Sequence, residues 1–136
     1  MNAISNECQC LLKKALMGNA AFSLVSGVLV VYRNHWLVKV LGLPEKVSLA
    51  ILGISLILYA GLLLINALRP RIKITDAWIA VVLDAIWVVG SYVLIFMIPF
   101  SVTGKWVVAL VAELVLVFAV LQWLGIRKIR KSEQPT

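Results

Sequence analysis

Residues 47–68 read VSLAILGISLILYAGLLLINAL, an uncharged stretch bracketed by Lys46 on one side and Arg69-Pro70 on the other. Wound as an α-helix at 1.5 Å per residue, it measures about 33 Å. The hydrocarbon core of a bilayer is ~30 Å thick, so a helix of this length crosses it. Three further runs share the character of this one. Residues 15–32 are uncharged between Lys14 and Arg33, residues 77–98 are broken only by Asp84, and residues 106–126 are broken only by Glu113. Pro44, Pro70 and Pro99 fall in the three gaps and Pro135 in the tail. Proline lacks the amide proton and clashes inside a helix, so its restriction to the gaps marks the same boundaries. Transmembrane β-strands would need ~10-residue segments of strict alternation, and these continuous Leu-rich runs have none.

The expected fold is therefore an all-α integral membrane protein. It has a single domain over residues 1–136, an antiparallel bundle of four transmembrane helices, and a basic cytoplasmic tail at 127–136. Thr75 or Asp76 is the expected N-cap of the third long helix and Thr103 that of the fourth, since short oxygen-bearing side chains satisfy the first free amides. Lys13 and Lys14 precede the first run as in a signal peptide. That run is longer than the usual ~7–15 residues and ends in Tyr32-Arg33-Asn34-His35 without a small-residue cleavage site, so a retained helix is expected.

Composition agrees. Hydrophobic residues are 62% of the 136 and charged residues 14%, against ~45–50% and ~25% in soluble domains. The formal charge of +7 invites a nucleic-acid reading, but the cations sit in short clusters between apolar runs and form no basic face. Of the 13 cations, nine lie in alternate segments: Lys13 and Lys14; Arg69, Arg71 and Lys73; Arg127, Lys128, Arg130 and Lys131. The other four are Arg33, Lys39, Lys46 and Lys105. Cytoplasmic loops are enriched in Lys and Arg, which puts both termini inside. Trp36 and Trp106 then fall at the outer interface, Trp78 and Trp123 at the inner one, and Trp87 deep. The gap from Arg33 to Lys46 is too apolar for a free loop and too short to span, so Trp36 to Leu41 is expected as a short helix in the outer interface.

Asp84 and Glu113 are the sharpest polar signals, because acids within a span usually face protein or a water cavity. Helical spacing puts Trp87, Ser91 and Tyr92 near Asp84; Ser48, Ser55, Tyr59 and Asn66 on one stripe of the second span; and Asn19, Ser23, Ser26 and Gly27 on one side of the first. The candidate polar site is thus Asp84, Glu113, Ser91, Tyr92, Tyr59, Asn66 and Asn19. Counted from the last turn, the two acids differ in height by roughly 9 Å, so a shared-proton dyad is not expected. Small and hydroxyl residues facing one another also serve helix packing alone.

No cofactor or metal is expected. His35 is the one histidine, so paired haem ligation is excluded, and Cys8 and Cys10 have no downstream partners for zinc; they read as reduced thiols. Gly104-Lys105 lacks the rest of a phosphate-binding loop, and no G-x-S-x-G or H-E-x-x-H sequence occurs.

The first half of the chain carries a pattern: Phe22-Ser23-Leu24-Val25-Ser26-Gly27, then Trp36, then Leu41-Gly42-Leu43-Pro44, then a Gly/Leu-rich second span. It resembles small bacterial four-helix membrane proteins of the DoxX-like kind, many without an assigned function. The resemblance implies a four-helix bundle in a bacterial inner membrane and carries over no catalytic residue. In size the chain is also similar to the small multidrug resistance transporters. Those carry an essential glutamate in the first helix, where this chain has no acid. The leading expectation is a non-enzymatic inner-membrane accessory or assembly partner. It would contact the lipid bilayer and another membrane protein or a second copy of itself, but no nucleic acid. The alternative is a small proton-coupled transporter or channel, oligomeric, using Asp84 and Glu113.

Overall fold

The computed structural model describes the backbone of residues 3–133 and the side chains of Glu7 and residues 9–131. The described residues form five helices: α1 (Ala3–Tyr32), α2 (Asn34–Leu41), α3 (Ala50–Ala67), α4 (Ile74–Met97) and α5 (Val102–Glu133). Four of them, α1, α3, α4 and α5, are long and apolar enough to cross a membrane. Their outer faces are largely apolar: Ile51 is 78% exposed and Phe96 87%, and Leu58, Leu62, Ile86 and Val89 are each more than half exposed. A soluble monomer rarely shows a contiguous apolar patch beyond a few hundred Å².

The helices overrun the apolar stretches that announce them. α1 begins at Ala3 and α5 reaches Glu133, where the sequence suggested spans that start near 15 and stop near 126, with a basic tail from 127. Charge does not end a helix; caps, glycine and proline do. Lys13, Lys14, Arg127 and Lys128 ride the outer side of these extensions while Leu12, Leu16, Ile126 and Ile129 are fully buried between them. The core is concentrated at this end, where those four residues meet Ala20, Leu63 and Ala67, Ile72 of the α3–α4 connection, and Ala77 and Ala80. The Gln9 side-chain oxygen accepts the Ile72 amide at 3.5 Å and ties α1 to the connection. Pro135 lies outside the described residues.

α1 packs along both α3 and α5, and α5 packs along α4, whereas α3 and α4 barely approach each other although they are consecutive. The α1–α3 crossing is built on two glycines. A Cβ on Gly27 would sit 2.7 Å from the Gly53 carbonyl oxygen, and one on Gly53 would sit 2.8 Å from that of Gly27. Residues without side chains let two backbones touch, which is how helices gain dispersion contacts where no hydrophobic drive exists. The α1–α5 contact is filled instead by the Phe22 and Phe118 rings, with centroids 5.9 Å apart.

The expected short helix in the first gap is present as α2, two residues longer at its start. It ends at Gly42, whose φ of +71° is the left-handed region that glycine enters without strain. The Gly42 Cα then lies so close to Ser101 that a Cβ would sit 2.8 Å from its amide. Ser101 fastens α2 to α5. Its amide donates to Leu41 O at 3.0 Å, its hydroxyl donates to Val40 O at 2.6 Å, and the same oxygen accepts the Gly104 amide at 3.0 Å. Ser101, and not Thr103, is thus the N-cap of α5, which starts at Val102. At α4 the expected cap is also displaced, because the helix starts before Thr75 and Asp76. Lys73 precedes it without a side-chain cap of its own, and Asn66 Oδ1 accepts the Lys73 amide at 3.1 Å. Asn34 Oδ1 does the same for Leu49, just before α3, at 2.8 Å.

The glycines make a direct test. Gly27→Val should destabilise the bundle by about 1–3 kcal/mol through overpacking. Gly61, with open space where its Cβ would be, should accept alanine with no loss, because alanine favours the helix by up to ~1 kcal/mol. Thermal unfolding in detergent followed by circular dichroism measures both, and equal melting shifts would refute the crossing described.

Candidate functional site

The inward face of α4 is the stripe Ala77, Ala80, Asp84, Val88 and Ser91, spaced three or four residues apart. Asp84 is 3% exposed. Because α4 starts at Ile74, three residues ahead of the apolar run that begins at 77, Asp84 lies near its middle. Asp84 meets a polar side chain from each of the other three long helices. From α1, Asn19 Nδ2 donates to Asp84 Oδ2 at 2.7 Å. From α3, the Tyr59 hydroxyl donates to Oδ1 at 2.8 Å. From α5, Gln122 Nε2 donates to Oδ2 at 3.3 Å. Ser23, one turn above Asn19, extends the network by donating to Asn19 Oδ1 at 3.4 Å.

This is an acceptor-only carboxylate surrounded by donors, with no Lys or Arg among its hydrogen-bond partners. Each hydrogen bond to a charged group stabilises by about 1.5–3 kcal/mol, and a buried donor left without its acceptor costs a comparable amount. One atom in the cluster has no partner: Gln122 Oε1, on a side chain with no solvent exposure. The cluster therefore retains one acceptor position aimed into the protein interior.

Of the seven expected site residues, the structure unites Asp84, Tyr59 and Asn19 and sends the other four elsewhere. Asn66 is buried but serves the α3–α4 connection, bonding both polar backbone atoms of Lys73. The Ser91 hydroxyl donates to Trp87 O at 2.7 Å, within its own helix. Tyr92 and Glu113 form a separate pair, the phenol donating to Glu113 Oε1. Glu113 is on the exposed side of α5, eight residues along α4 from the Asp84 level, or about 12 Å. The acids belong to different networks, as the height mismatch predicted. On α3 the stripe holds only in part. Ser48 precedes the helix, and the exposed Ser55 donates to Ile51 O at 2.8 Å instead of facing inward.

Gln122 is the residue that sequence reasoning passed over. A search for charges within apolar runs misses an amide between Leu121 and Trp123. The signal was there in another form: Ala112, Val115, Ala119, Gln122, Ile126 and Ile129 recur at alternating three- and four-residue steps and, glycines aside, are the buried positions of α5 among the described side chains. Glu113 falls outside that stripe. Among the other candidates, the Cys10 thiol is free and exposed, the Cys8 side chain lies outside the described residues, and His35 is exposed. No group of three or more His, Cys, Asp or Glu residues is arranged to hold a metal ion among the described residues.

A cleft of about 250 Å³ runs between α3 and α4 where the two helices stand apart, from Arg69 and Asp76 at one end to Tyr59 and Leu83 at the other. It brings open space beside the Tyr59–Asp84 bond. Comparison with protein-family models, curated proteins and solved structures gave no match.

The network predicts a difference between two substitutions. Asp84→Leu strands three donors at ~1–3 kcal/mol each and should destabilise by more than about 3 kcal/mol. Asp84→Asn keeps the Tyr59 acceptor, and turning the Asn19 and Gln122 amides presents Oδ1 and Oε1 to the two hydrogens of the new amide, so its loss should stay below about 1.5 kcal/mol. Denaturation of the two variants in one detergent decides the matter, and similar midpoints would show that the donors do not depend on the carboxylate.

Proposed function

We propose that the chain is a non-enzymatic component of a membrane assembly, inserted in a bacterial inner membrane through α1, α3, α4 and α5, with both termini cytoplasmic. The observation that carries this reading is Glu113. It sits mid-helix on the outer face of α5, among exposed Leu110, Leu114 and Val117, and its hydrogen-bond partner among the described residues is Tyr92. An acid within a lipid-facing helix is costly, by ~2.5–3.5 kcal/mol at the helix centre, so this face is best accounted for by a second protein helix that covers it.

Supporting the membrane placement are the apolar outer faces and the cation distribution. Two tryptophans also lie near arginines: Arg33 is 6.0 Å from the Trp36 ring centroid and Arg127 is 5.2 Å from that of Trp123. Such amphipathic pairs suit the headgroup level. An antiparallel bundle fits the close pairs of α1 and α5, since Leu12 lies against Gly125 and Gly18 against Phe118, one number rising as the other falls. The DoxX-like resemblance points to the same bacterial setting.

A second reading, proton-coupled transport by an oligomer, is favoured by the Asp84 cluster, with its unpartnered Gln122 oxygen and its position beside the α3–α4 cleft. On that reading Asp84 carries the proton and Glu113 belongs to a neighbouring contact.

Two experiments test these proposals. Glu113→Leu should leave the melting temperature within a few degrees of wild type and shift the protein to a smaller species on native gels of mild-detergent membrane extracts. A wild-type chain that migrates as a solitary monomer from native membranes, or saturable turnover by the purified protein, would remove the assembly reading. In proteoliposomes, any flux should disappear in the Asp84→Asn/Glu113→Gln double variant, and unchanged flux would exclude transport through these acids.

A further inference from the structure

The seam between α3 and α4 is unlike the other helix contacts in the bundle. Its lips are exposed aliphatic side chains, Leu62 and Ile65 on one helix and Ile79 and Leu83 on the other, over a floor that includes the small side chain of Ala80. From Tyr59 to Arg69 the seam runs ten residues, eight of them along α3 and the last two into the connection, or about 15 Å. That is the depth of one leaflet, half of a ~30 Å hydrocarbon core. Its two ends differ in chemistry. The deep end is the Tyr59 hydroxyl, already engaged with Asp84 and Ala80. The mouth is Arg69, whose only salt bridge among the described residues is a loose 3.9 Å contact with Asp76. Arg69 stands in the connection that also carries Arg71 and Lys73.

We infer that this seam is a binding site for one anionic phospholipid, whose acyl chain lies between α3 and α4 and whose phosphate is held by Arg69 with Lys73 beside it. Charge complementarity selects the occupant. A neutral lipid would fill the apolar length but leave the basic connection unmatched, and a second copy of this chain would bring the same cations against it. Arg presents five fixed donors that match phosphate oxygens in pairs, and basic pockets between transmembrane helices on the cytoplasmic side recognise anionic headgroups. The lipid restores the packing that α3 and α4 do not give each other, while Asp76 at the mouth opposes the headgroup charge.

The inference rests on the membrane placement proposed above, so the two are separated in the experiment. Alkaline carbonate extraction first establishes whether the chain stays in the membrane pellet; release into the supernatant defeats the placement and this inference together. The purified protein is then incorporated in nanodiscs of equal phosphatidylglycerol and phosphatidylcholine, released by mild detergent, and its retained lipid counted by native mass spectrometry. Wild type should retain one phosphatidylglycerol in preference to phosphatidylcholine. Arg69→Gln should lower that preference about fivefold, the equivalent of ~1 kcal/mol for one basic side chain near an anionic surface. Asp76→Asn should raise it. Leu83→Trp, at a half-exposed lip position, should reduce retention of both lipids while leaving the connection charges in place. Equal retention of the two lipids by wild type, an unchanged preference in Arg69→Gln, or full retention in Leu83→Trp would each overturn the site. So would disulfide-linked pairs of Leu83→Cys chains in which Cys8 and Cys10 are replaced by serine, because a second copy would then occupy the seam.

Discussion

The Asp84 carboxylate is an acceptor with nowhere to go but inward, and the four long helices are arranged so that each of the other three offers it a donor. Asn19, Tyr59 and Gln122 come from α1, α3 and α5. Aliphatic packing alone would permit the helices to rotate or slide with small penalties, since one apolar face resembles another. A buried carboxylate does not permit this. Moving any helix by one residue turns its donor by ~100° and strands a polar atom in surroundings that cannot repay it. The glycine crossing of α1 and α3 fixes how closely those two approach; the carboxylate fixes their register with α4 and α5.

The two ends of the bundle are secured by different means. At one end the extensions of α1 and α5 enclose an aliphatic core around the α3–α4 connection. At the other, α2 folds across and is fastened by hydrogen bonds from a single serine to two carbonyls. Between them the α3–α4 side stays open. The division follows from side-chain size and polarity: alanine and leucine close the core, glycine admits backbone contact, and the lips of the seam carry aliphatics that point outward rather than into each other.

Much of this was legible in the sequence. Continuous apolar runs separated by proline and charge gave four long helices, and the interposed Trp36 to Leu41 segment gave α2. The ends were not, because the rule that finds a span follows hydropathy, while the rule that ends a helix follows backbone chemistry; α1 and α5 continue well past their apolar stretches with cations on one side. Asn19, Tyr59 and Asp84 were readable as one seam. Gln122 was hidden because it carries no charge, and its place on the three-and-four stripe of α5 was the overlooked clue. Ser55 misled because it shares its stripe with Tyr59: at the edge of an inward face a phenol is long enough to reach the centre, whereas a hydroxyl on one carbon bonds its own backbone. Glu113 is an acid like Asp84, but its height along the bundle already set it apart, and the facing of α5 puts it on the exposed side with Tyr92.

The order in which the donors occur along the chain bears on biogenesis. A nascent polypeptide delivers Asn19 first, then Tyr59, and only afterwards the acid that needs them. When α4 leaves the ribosome, the α1–α3 hairpin already holds two of its three ligands, and Gln122 arrives last to close the shell. A chain with the acid ahead of its donors would spend part of its synthesis with a naked carboxylate among hydrocarbon side chains. Here the vectorial sequence of translation spares the intermediate that exposure.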